Sequence, residues 1–136
     1  MIRVFLTLAV VLYAVVVPIL EVNDTHVFNP AWTPHAKIHE VWQLITNSVI
    51  GFYCLYLVWI RKRLIIPTIL SMIVTGSFLM AYALKELYGG DMAFVNAPEK
   101  MVFGVNIGVL GFGIVFIGLV LCLMSEAQNT KGDNNE

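Results

Sequence analysis

Residues Glu21–Asn47 read EVNDTHVFNPAWTPHAKIHEVWQLITN. This stretch lies between two long apolar blocks and holds every histidine of the chain: His26, His35 and His39. It also carries Glu21, Asp24 and Glu40. Asn29-Pro30 is a turn signal. Thr33 is a good N-cap, and Pro34 suits the first helical position, where its missing N–H costs nothing. The reading is therefore a polar loop that feeds a helix starting at Pro34. That helix has apolar sequence available to it as far as Ile60.

Outward from this stretch the chain is mostly apolar. Val4–Leu20 precedes it; Leu64–Leu84 and Met101–Met124 follow. Of 136 residues, 59% are hydrophobic and 12% charged, with a mean hydropathy of +0.82. A soluble domain is about half apolar and about a quarter charged. Each block is close to the ~20 residues that cross a ~30 Å hydrocarbon core. The expected fold is all-α: an integral membrane four-helix bundle with helices over 4–20, 34–60, 64–84 and 101–124. Residues 1–124 form its single domain. The polar end, SEAQNTKGDNNE, is expected to be a disordered cytoplasmic tail over 125–136. The first block is longer than a signal-peptide core, and Val17-Pro18-Ile19-Leu20 is too bulky for a cleavage site, so it is expected to be retained.

Four crossings place both termini on one side. Basic residues concentrate in the short Arg61-Lys62-Arg63 turn, joined on that side by Arg3 and Lys131. The positive-inside rule makes that side cytoplasmic. The histidine loop then faces outward, and the expected location is a bacterial inner membrane. The lipid bilayer is the first partner. A net charge of −1 and the absence of a basic stripe give no case for nucleic acid. Cys54 and Cys122 fall inside apolar blocks, in no metal-ligand spacing.

His35-x-x-x-His39 is the sharpest chemical signal. A spacing of four puts two imidazoles on one helix face, within reach of one divalent metal. His26 is the third ligand candidate, brought back by the Asn29-Pro30 turn, and Asp24 is an oxygen donor or histidine orienter. The same pair equally suits acid–base work or a purely interfacial role. Glu40 falls about 100° round the helix from His39 and reads as a supporting residue. Gln43, Thr46, Asn47 and Cys54 continue the histidine face into the membrane, where polar groups turn to a bundle interior. On the third helix Thr68, Ser71, Thr75, Tyr82 and Glu86 form a second stripe, with Glu86 expected at the depth of the histidines. His39 and Glu86 are the candidates for proton transfer; Asp24, Glu40, Gln43, Asn47 and Glu86 are the candidates for ligand contact. Gly104, Gly108, Gly111 and Gly118 share one face of the fourth helix with Cys122. They predict close approach of another helix, whether within the bundle, from a second copy or from another membrane protein.

The run Asn23-x-Thr25-His26-Val27-Phe28-Asn29-Pro30-x-Trp32-x-Pro34-His35-x-x-x-His39 resembles a motif of small four-helix membrane proteins of unknown function. That resemblance implies a fold and a site, not a reaction. The four-block layout also faintly resembles that of DoxX-like proteins and of the sterol-isomerase and sigma-2-receptor group, with no motif residues to carry over. The expected function is binding of a metal or a small lipophilic molecule at an outward-facing histidine and carboxylate site. An oxidoreductase or isomerase is its enzymatic form. The alternative is a non-catalytic accessory subunit of a membrane complex.

Overall fold

The computed structural model describes residues 1–93 and 98–133, with side chains described to residue 128. Residues 134–136 of the expected tail lie outside these. The chain is mostly helical, and four of its helices are long and apolar enough to cross a membrane by length and composition. They are α1 (Ile2–Glu21), α2 (Pro34–Trp59), α3 (Ile65–Ala83) and α5 (Ile107–Asp133). A short helix, α4 (Lys85–Tyr88), and an antiparallel pair of strands, β1 (Met101–Val102) and β2 (Val105–Asn106), lie between α3 and α5.

The helices run up and down in turn. Trp59 Nε1, at the end of α2, donates to Thr7 Oγ1 near the start of α1, at 3.1 Å. Phe78 of α3 packs on Phe112 of α5 with ring centroids 4.7 Å apart. A Cβ added at Gly76 would meet the Phe116 ring. Helices α1 and α3 form the central pair, and α2 and α5 each pack against both. The core is Leu6, Ala9, Val10, Tyr13 and Ala14 of α1, with Cys54 and Val58 of α2 and Leu119 of α5.

One turn of α1 shapes the bundle. Pro18 has no N–H to give the Ala14 carbonyl, and α1 widens to a π-helical turn over Leu12–Val16. The Ser48 hydroxyl of α2 donates to that freed carbonyl at 2.9 Å. Gly51 lies one turn further along α2, where a Cβ would collide with Ala14 Cβ. A serine and a glycine, three residues apart on one face, thus let α2 sit on the proline-widened turn.

The inward side of α2 therefore differs from the expected one. Leu44, Gly51, Cys54 and Val58 are buried, and Glu40 and Ser48 are half-buried on the same side. His35, His39, Gln43 and Thr46 are exposed. The inward face is rotated roughly 100° from the histidine stripe. Backbone fit between small residues and the widened turn decides the rotation, and polarity along α2 does not.

The third-helix stripe is inward only in part. Thr68, Ser71 and Thr75 are buried. Thr68 and Thr75 bond back to the Leu64 and Ser71 carbonyls, at 2.7 and 2.8 Å, and Ser71 Oγ meets Tyr13 Oη at 3.2 Å. The stripe does not reach Glu86. Helix α3 ends at Ala83, α4 starts anew at Lys85 and closes on Gly89 at φ 69°, and Glu86 is exposed.

The fourth long helix starts later than residue 101. Phe103 and Gly104 take φ of 51° and 77°, the pattern of a type I′ hairpin turn. Asn106 Oδ1 then caps α5, accepting from the Gly108 and Val109 N–H at 2.8 and 3.3 Å. Gly104 thus belongs to the hairpin and shares no helix face with Gly108 and Gly111. A Cβ at Gly111 would meet nothing, whereas one at Gly118 would run into the Phe5 ring, so the close approach on α5 lies at Gly118. The helix also continues past Met124 to Asp133, through residues expected as tail; Glu126, Ala127 and Gln128 are good helix formers.

Candidate functional site

The histidine loop, 22–33, is built by its asparagines. Asn23 Oδ1 accepts from the Thr25 N–H at 2.7 Å and from the Thr25 hydroxyl at 2.6 Å, a side-chain mimic of a turn. The Asn23 amide donates to the Leu20 carbonyl at the end of α1, at 2.5 Å. Asn29 is buried. Its amide donates to the Thr25 carbonyl, and its oxygen accepts from the Ala31 N–H, both at 2.9 Å. Thr33 Oγ1 accepts from the Ala36 N–H at 3.2 Å and starts α2. Most of the polar residues in the motif are thus spent on one loop conformation.

That conformation fixes His26. Its Nε2 lies 2.8 Å from Glu21 Oε2, its Nδ1 lies 2.9 Å from Thr25 Oγ1, and its ring meets Trp32 edge-on at 5.8 Å. Thr25 has one hydroxyl hydrogen, and Asn23 Oδ1 stands ready to accept it. With that hydrogen on Asn23, Nδ1 carries its own and donates to Thr25. A proton then lies between Glu21 and His26 Nε2, shared by acid and base. Burial pushes the His26 imidazole below its ordinary value. Glu40, reaching in from α2, comes close enough for its charge to act on Glu21. Glu21, Thr25, Asn29 and Trp32 are working parts of this cluster that residue spacing did not single out. Thr25, Asn29 and Trp32 stood in the motif run around His26, with no site role assigned to them.

His35 and His39 form a separate cluster. Their Nε2 atoms are 3.0 Å apart and their ring centroids 4.5 Å apart at 79°, with both rings exposed. Trp42 flanks His39 at 5.9 Å. Two neutral imidazoles bound to one tetrahedral metal at ~2.0–2.1 Å hold their nitrogens roughly 3.4 Å apart. The hydrogen bond between the two rings brings the nitrogens to within a few tenths of an ångström of that separation, and a bound metal would take the place of the proton between them.

The structure does not bring the expected site residues together as one set. Both ring nitrogens of His26 are engaged by Glu21 and Thr25, so it does not stand as a third ligand beside His35 and His39. Among the described residues, no three His, Cys, Asp or Glu side chains are grouped to hold a metal ion. Asp24 and Glu86 are exposed. Asn47 is half-buried, Gln43 is exposed, and Glu40 belongs to the Glu21 side. An apolar groove of about 580 Å³ lies at the opposite end of the bundle, between Phe5 and Leu8 of α1 and Gly118 and Cys122 of α5. It is no part of the histidine site.

Compared with protein-family models, curated proteins and solved structures, the chain matches none. The chemistry of these two clusters is therefore the ground for a functional reading.

Proposed function

We propose that this is a four-pass membrane protein of a bacterial inner membrane, with both termini cytoplasmic, that binds a divalent transition metal at its outward end through His35 and His39. The observation that carries the reading is the convergence of their Nε2 atoms to 3.0 Å on an exposed helix face. Four helices of spanning length and the basic turn at residues 61–63 support the membrane placement. Neutral imidazole suits zinc, copper, nickel and iron, whereas magnesium and calcium favour oxygen donors. His26, Glu21 and Glu40 supply a half-buried proton-holding group at the same end of the bundle.

Elemental analysis of the purified protein after incubation with zinc tests the reading. Zinc should remain after desalting and should be lost in both His35→Ala and His39→Ala. Wild-type retention in either variant would contradict it, as would no zinc in the wild type.

A further inference from the structure

We infer that the partner completing this metal site is a second copy of the chain, docked across a two-fold axis through the exposed stripe of α2 that carries His39, Gln43 and Thr46. The inference rests on the metal reading above.

Ligand arithmetic is the first argument. Imidazole-rich sites for these metals take about four donors, and one copy presents two convergent nitrogens. The chain has three histidines, and the third has both ring nitrogens occupied by Glu21 and Thr25. Further imidazole donors must come from another molecule. An identical copy brings the same pair, already converged.

Second, the residues below the histidines need a partner. Gln43 and Thr46 lie on the face that carries His39, one and two turns deeper, and both are exposed. Neither side chain makes a hydrogen bond within the described residues. In hydrocarbon an unpaired amide is costly, and such side chains bond to neighbouring helices. A glutamine amide both donates and accepts, so this stripe is complementary to itself. The stripe bears no formal charge with histidine neutral, so two copies meet without repulsion. Glu40 is on the side of α2 that faces Glu21, away from the interface.

Symmetry joins the two arguments. Copies inserted in the same direction are related by an axis along the membrane normal, which pairs each residue with its own equivalent at equal depth. The rotation that sets Gln43 against Gln43 sets the histidine pair against the histidine pair, one helical turn above.

Cobalt(II) distinguishes the outcomes. The full-length protein in detergent is titrated with Co(II), followed by its visible absorption, and its mass is measured by light scattering with Co(II) and with EDTA. The inference predicts about one Co(II) per two chains, the intense band of a tetrahedral ion, and a two-chain mass that EDTA shifts toward one. Gln43→Leu should weaken the dimer about tenfold, leaving each chain's histidine pair intact. His35→Gln and His39→Gln, conservative changes at exposed positions, should abolish both the band and the metal-linked dimer. About one Co(II) per single chain would overturn the second copy and leave the metal reading standing. A dimer indifferent to Gln43→Leu and to both histidine changes would place the interface elsewhere and overturn the inference. No Co(II) bound by the wild type would overturn the metal reading itself.

Discussion

At the scale of residues, the histidines at one end of the bundle occupy two different environments. His35 and His39 are exposed and bond each other through Nε2 at 3.0 Å; His26 is enclosed by Glu21, Thr25 and Trp32. Spacing made the first pair legible, because a helix with residues four apart aligns their side chains whatever surrounds it. The fate of His26 was not legible. It depends on Asn23 and Asn29 folding a loop back on itself, and loop closure leaves no periodic trace. Burial lowers the His26 midpoint from 6.5. The unfolded chain therefore takes up the proton first as pH falls. This group's contribution to stability is present above about 6.5 and is lost as pH falls toward the lowered folded value. An NMR titration should place the His26 midpoint below 6.5, and a His26 midpoint at or above 6.5 would show that the ring is not enclosed as described. Asn29→Ala, which strips partners from the Thr25 carbonyl and the Ala31 N–H, should lower stability by about 1–3 kcal/mol. Faster proteolysis between residues 22 and 33 would report it.

At the scale of elements, the helix starts and stops were readable where proline, threonine and the basic turn mark them. Thr33-Pro34 starts α2, and Arg61-Lys62-Arg63 follows its end, with Lys62 at φ 52° and the Arg63 N–H closing on the Leu57 carbonyl at 2.9 Å. The start of α5 was misplaced because Met101–Asn106 is apolar enough to read as helix, while the Phe103-Gly104 turn and the Asn106 cap act locally against it. The rotation of α2 was also misread. The assumption that polar residues turn inward chose the histidine stripe, but the contact is chosen by Pro18, which frees a carbonyl, and by Ser48 and Gly51, which fit against it. Gly51→Ala would set a rigid Cβ against Ala14 and should destabilise the bundle by roughly 1–3 kcal/mol. Gly113→Ala meets open space and should be neutral or stabilising by up to about 1 kcal/mol, the helix propensity gain. A thermal-shift comparison decides. Equal losses at the two positions would mean that α1 and α2 do not meet at Gly51.

At the scale of the whole molecule, four long apolar helices were legible because four apolar blocks of near-spanning length are separated by polar stretches. Sidedness rests on the basic turn. A reporter active only outside the cytoplasm should work when fused after Ala31 or Gly90 and fail after Lys62 or Glu136; activity at Glu136 would reverse the orientation. One end of the bundle carries both the enclosed His26 cluster and the exposed His35–His39 pair. The most direct test of that assignment is X-ray absorption at the zinc edge on the zinc-loaded protein. The account predicts a nitrogen shell at about 2.0 Å with the outer-shell scattering of imidazole rings, lost in the His35→Ala, His39→Ala double variant. A sulfur shell at about 2.3 Å, or an oxygen shell unchanged in that variant, would contradict it.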